Sequence, residues 1–81
     1  MSSTERLKAA FVETLGISKD TDFENLKYRG IEEWDSVAHM QLVNEIETTF
    51  DIMLSTDDVI GMSSFNIAKE IIAKYGISFD A

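Results

Sequence analysis

Eighty-one residues, 44% of them hydrophobic and 27% charged, make one folded domain over residues 1–81, with room for a single core of modest stability. Fifteen acidic against seven basic residues give a net charge of −8, which disfavours nucleic acid and anionic membrane surfaces and points to basic protein surfaces as partners. The chain has no cysteine, which excludes a disulfide framework, a thiol nucleophile of its own and a thiolate metal site.

The first segment, SSTERLKAAFVETLG, reads as a helix. Ser2 and Glu5 fit a capping box, Leu7, Ala10, Phe11 and Leu15 recur at helical spacing, and Gly16 supplies the stop. It has no apolar leader core, and no run in the chain is apolar for long enough to span a bilayer. A cytoplasmic location without membrane insertion is therefore expected. The connection ISKDTDFENLKYRGIEEW has no sustained period, and its Phe23, Leu26, Tyr28, Ile31 and Trp34 are expected to pin it to the helices. Part of it, DTDFENLKYRGI, superficially has the form of a calcium loop. Asn25 stands where the glycine is required and Ile31 replaces the terminal bidentate carboxylate, so no metal site is expected.

The second helix spans about Asp35 to Phe50. At about 100° per residue, His39, Val43, Ile46 and Phe50 form its core stripe, with Leu42 and Met40 on the flanks. Gln41, Asn44, Glu45 and Thr48 form the opposite, wet face, and Val37 falls in the middle of it. A short helix follows near Thr56 to Ile60, with Ser55 and Asp58 as its capping box and Gly61 as its stop. The last, SSFNIAKEIIAKYG, carries a stripe of Phe65, Ala68, Ile71, Ile72 and Tyr75 and ends at Gly76. No strand signal appears. The expected fold is all-α: a small four-helix bundle of three longer helices and one short one, with a long loop between the first and second. Without a heptad seam or an obvious apolar patch, a monomer is expected.

The chemistry concentrates at one helix start. Asp35 is a good N-cap, which puts Ser36 at the first helical position. Unpaired N–H groups and the positive end of the helix dipole favour an anion there, so a phosphate ester on Ser36 would be well placed. Nothing in the sequence activates the serine itself. The sole histidine, His39, lies three residues on, and no oxyanion-hole motif accompanies it. Ser36 therefore reads as a serine that another enzyme modifies, with no catalytic residue in the chain. By spacing, His39 reads as a half-buried packing residue at the end of the bundle, with contact to a phosphate as the alternative.

The segment WDSVAHMQLVNEIETTFDIMLSTDDVI resembles the core of acyl carrier proteins and related phosphopantetheine carrier domains. Asp35-Ser36-Val37 matches their Asp-Ser-Leu triplet with Val for the commoner Leu, and Phe50-Asp51 matches their Phe-Asp or Phe-Gly turn. The resemblance covers nearly the whole chain and implies a 4′-phosphopantetheine arm on Ser36, flanked by Asp35 and Val37. A phosphopantetheinyl transferase would install it from coenzyme A, and the arm's thiol would carry acyl groups as thioesters. The reactive sulfur would then be imported, as a chain without cysteine requires. Tethering raises the effective concentration of cargo at each docked enzyme.

The implied partners are an acyl-loading ligase or synthase and acyl-transferring enzymes with basic docking surfaces in fatty-acid, lipid or secondary-metabolite biosynthesis. They would meet Val37, Met40, Gln41, Asn44 and Glu47, with the charges acting mainly on on-rate and partner choice. Val43, Ile46, Ile60, Met62, Ile67 and Ile71 are the candidate lining of an acyl pocket, against the simpler reading of core packing. Gln41, Asn44, Thr48 and Thr49 stand where fatty-acid carriers are more acidic or apolar, which suggests a specialised stand-alone carrier. An aminoacyl or peptidyl carrier with a dedicated ligase is the near alternative. An unmodified acidic helical interaction module is the alternative of another class.

Overall fold

The computed structural model describes residues 2–79. Among them are four α-helices and one 3-10 turn: α1, Ser3–Leu15; the turn, Phe23–Asn25; α2, Ser36–Phe50; α3, Thr56–Gly61; and α4, Phe65–Ala73. No described residue lies in a β-strand, and the extended pairing present is one isolated antiparallel bridge between Lys27 and Ser64. The fold is thus the all-α bundle expected, with the long connection between α1 and α2.

Each α-helix opens on a side chain that accepts a first-turn N–H: Ser2 from Glu5, Asp35 from Ala38, Ser55 from Asp58 and Ser64 from Ile67. The stops are more varied. Gly16 ends α1 in the left-handed region at φ 67°, with its N–H bonded to the Val12 carbonyl. Asp51 takes the same conformation after α2 at φ 54°, although it is not glycine. Gly61 is the last residue of α3 and not the stop beyond it, because Met62, 1% exposed, turns back into the core. The last helix ends at Ala73, sooner than Gly76. Its final turn tightens into i→i+3 bonds from Lys74, Tyr75 and Gly76 to Ile71, Ile72 and Ala73, and Gly76 at φ 93° then ends the coil.

The core gathers around Phe11 of α1. Its ring meets Phe65 of α4 at 5.1 Å and Trp34 of the connection at 5.2 Å, both edge to face. Leu7 and Leu15 of α1, Leu42, Ile46 and Phe50 of α2, and Ala68, Ile71 and Ile72 of α4 join it, together with Phe23, Leu26 and Met62. The first helix packs along α2, and α4 against the 3-10 turn. From α1, Arg6 reaches the Thr49 carbonyl and lies over the Phe50 ring, bringing a cation to the C-terminal end of α2 that α2 itself lacks.

The aperiodic connection is fixed by distant partners. Tyr28 N–H donates to the Ser63 carbonyl at 2.9 Å, and Phe65 N–H to the Leu26 carbonyl at 3.0 Å. Beyond this bridge the chain closes on itself: Arg29 N–H bonds the Trp34 carbonyl at 3.0 Å and Gly30 N–H the Lys27 carbonyl at 2.9 Å. The expected anchors Phe23, Leu26 and Trp34 are buried, while Tyr28 and Ile31 are half-buried.

The short α3 has no buried residue and is held by polar ties. Asp58 accepts from Lys74 Nζ at 2.8 Å and from the Tyr75 hydroxyl at 2.5 Å, and Ser55 N–H donates to that same hydroxyl at 3.1 Å. The bonds from Lys74 and then Tyr75 hold the Asp58 carboxyl below the usual carboxylate range. No helix among the described residues is long and apolar enough to cross a membrane.

Candidate functional site

The first residue of α2 is Ser36, exposed, with Asp35 before it as N-cap; Asp35 Oδ1 accepts from Ala38 N–H at 2.9 Å. The closed segment 27–34 brings two side chains onto the serine. The Tyr28 hydroxyl lies 3.0 Å from Ser36 Oγ, and Arg29 Nη2 donates to the same oxygen at 3.3 Å. Arg29 Nε also reaches the Tyr28 oxygen, at 3.4 Å. The hydrogen bond with Ser36, and next the one from Arg29, hold the Tyr28 phenol below the ordinary tyrosine range. Arg29 attains this position with φ at 62°, a left-handed backbone that costs a non-glycine residue about 1–2 kcal/mol.

By its place in the connection Tyr28 counts among the expected packing anchors, and Arg29 is not among the residues that the sequence pattern singles out. The available signal was a cation beside a glycine, a few residues ahead of the serine, within an acidic stretch. Which atoms it meets depends on the turn that closes the loop, and that turn has no periodic signature.

Beside Ser36 opens a cleft of about 340 Å³ between the start of α2 and α3, lined by Tyr28, Ser36, His39, Met40, Val59, Ile60, Met62 and Ser63. Met40 and Ile60 make its rim apolar and uncovered, at 55% and 75% exposed, and Val37, outside the lining but next to Ser36 in the chain, is 68% exposed. Gln41 and Asn44 are exposed farther along α2. Met40 therefore stands on the surface, where the helical stripe put it on the flank of the core.

The residues proposed for an acyl pocket are divided. Val43, Ile46 and Ile71 are buried in the packed interior, Ile67 is half-buried, and of the six only Ile60 and Met62 line the cleft. The reason is α3: with no buried face, it turns Ile60 outward to the cleft. Glu47, read as a docking acid, is half-buried, and its Oε2 accepts from Leu54 N–H at 2.8 Å, which ties down the loop after α2. Glu45 accepts from the Thr49 hydroxyl at 3.3 Å.

The floor of the cleft is held by His39. Its Nδ1 accepts from the indole N–H of the fully buried Trp34 at 3.0 Å, so the hydrogen is assigned to Nε2, which donates to the Val59 carbonyl at 2.8 Å. The ring stacks on Trp34 at 6.0 Å and lies against Tyr28 at 5.2 Å. Both nitrogens are thus committed to joining the connection, α2 and α3, and neither is bonded to Ser36. No protein-family model, curated protein or solved structure matches this chain.

Proposed function

We propose that this chain is an acyl carrier protein. Its Ser36 takes a 4′-phosphopantetheine arm from coenzyme A by the action of a phosphopantetheinyl transferase, and the thiol of the arm carries acyl groups as thioesters between enzymes. The observation that carries this reading is an exposed serine hydroxyl at the first residue of a long helix, at the mouth of an apolar cleft.

The residues present fit the group. Ser36 Oγ is accessible for attachment, the helix start favours the phosphodiester, and the apolar walls from Met40, Val59, Ile60 and Met62 suit an acyl chain or the less polar part of the arm. The surroundings also favour modification in trans over chemistry by the chain itself. Ser36 is bonded to a phenol and a guanidinium, and the only imidazole has both nitrogens engaged elsewhere. Val37, Met40 and Ile60 offer partner enzymes an apolar contact within an acidic surface, a combination that suits fast and reversible docking on basic partners. The cargo class, within fatty-acid, lipid or secondary-metabolite synthesis, is then set by the loading enzyme.

The test is intact mass. After incubation with coenzyme A and a broad-specificity phosphopantetheinyl transferase, the chain is expected to gain the mass of one arm, and Ser36→Ala none. An unchanged mass, or label on another side chain, refutes the carrier reading and leaves an acidic interaction module.

A further inference from the structure

The geometry points to Arg29 and Tyr28 as the residues that hold the phosphodiester of the arm once it is on Ser36, an inference that rests on the carrier reading above. Two neighbouring side chains of the connection converge on one oxygen at the start of α2. Arg29 Nη2 is 3.3 Å and the Tyr28 hydroxyl 3.0 Å from Ser36 Oγ, the atom that would bear the phosphorus. The phosphodiester adds one negative charge and two non-bridging oxygens next to that atom. A guanidinium presents donors in a fixed fork that matches such oxygens, and charge-assisted bonds of this kind are about twice as strong as neutral ones. A phenol adds one further donor.

Local charge gives the pair a reason to exist. Asp35, next to Ser36, carries a carboxylate that already serves the helix cap, and Glu32 and Glu33 are exposed just before it. A new anion on Ser36 would be repelled by these acids, and by the net charge of −8 as a whole. Arg29 is the cation that the loop delivers to this point. It is held there by its N–H bond to the Trp34 carbonyl and by the guanidinium lying over the Tyr28 ring, 5.7 Å from its centroid. Tyr28 also lines the cleft, so the same pair fixes the phosphodiester at the cleft mouth.

The experiment compares apo and arm-bearing protein for wild type, Arg29→Gly, Arg29→Lys and Tyr28→Phe. Arg29→Gly is chosen because glycine relieves the left-handed backbone at φ 62° and so leaves folding intact. The 31P resonance of the wild-type arm is expected to be displaced from its position in the same protein unfolded in urea. In Arg29→Gly that displacement should collapse, with a partial loss in Arg29→Lys and a smaller one in Tyr28→Phe. The change in melting temperature on adding the arm should also be more favourable in wild type than in Arg29→Gly, and this difference should shrink with salt. If wild type takes up the arm and both readouts match those of Arg29→Gly, the pair does not hold the phosphodiester and this inference falls while the carrier reading stands. If wild type takes up no arm, the carrier reading itself falls, and the inference with it.

Discussion

His39 shows how much one side chain can settle. Its Nδ1 satisfies an indole N–H that is fully buried, and its Nε2 pins the one helix that buries nothing of its own. Removing the acceptor while leaving the indole in place strands a buried donor, which costs about 1–3 kcal/mol. His39→Leu is therefore expected to destabilise the domain by about 2 kcal/mol or more in urea unfolding, once the Val59 bond is lost as well. Trp34→Phe in the same background removes the stranded donor. The double mutant should be less destabilised than the sum of the two single changes, by a coupling of about 0.5–3 kcal/mol. Strict additivity would mean that the indole has another partner. The helical stripe put His39 on the core face, and this much was legible in the sequence. Its two partners were not, since one lies in an aperiodic loop and the other on a separate helix.

Among the elements, the helix ends divide into those that a glycine makes easy and those that hold without one. After α2 the left-handed position belongs to Asp51, at φ 54°. Two forces act against an aspartate there: the backbone penalty for a side chain in this region, and a carboxylate at the negative end of the helix dipole. Asp51→Gly should relieve both, and is expected to raise stability by about 0.5–1 kcal/mol, seen as a higher urea midpoint with an unchanged slope. A loss of stability would show instead that the Asp51 carboxylate makes a contact worth more than the strain. Glycine adopts this conformation freely, and aspartate is among the side chains that tolerate it. The polar ties on α3 belong to this scale too. They leave α3 joined to α2 through His39 and to the turn after α4 through Lys74 and Tyr75, and leave the cleft beside Ser36 open on its outer side.

For the whole molecule the governing quantity is charge. A net charge of −8 is spread over a body of 31 × 27 × 19 Å, with one direct ion pair, Lys74–Asp58, among the described residues. The Debye length falls from about 30 Å at 0.01 M salt to about 8 Å at 0.15 M, so at low salt most carboxylates repel one another across the full width of the domain. The melting temperature at neutral pH is thus expected to rise as sodium chloride is raised over this range; a flat or falling curve would show that favourable pairs outweigh the net repulsion. The sequence by itself determined the four helices, the N-caps Ser2, Asp35 and Ser55, the stop at Gly16 and the exposure of Val37, because caps and apolar stripes join residues three or four apart and need no knowledge of the rest of the fold. Only the tertiary structure decided that Tyr28 and Arg29 meet Ser36, that Trp34 bonds His39, and that the apolar residues expected to line one pocket divide between a packed core and a surface cleft. Those outcomes depend on where an aperiodic connection is tied down, through bonds such as Tyr28 to Ser63 and Phe65 to Leu26, between residues far apart in the chain. No local period encodes them, since what fixes each such bond is the packing of the helices on either side.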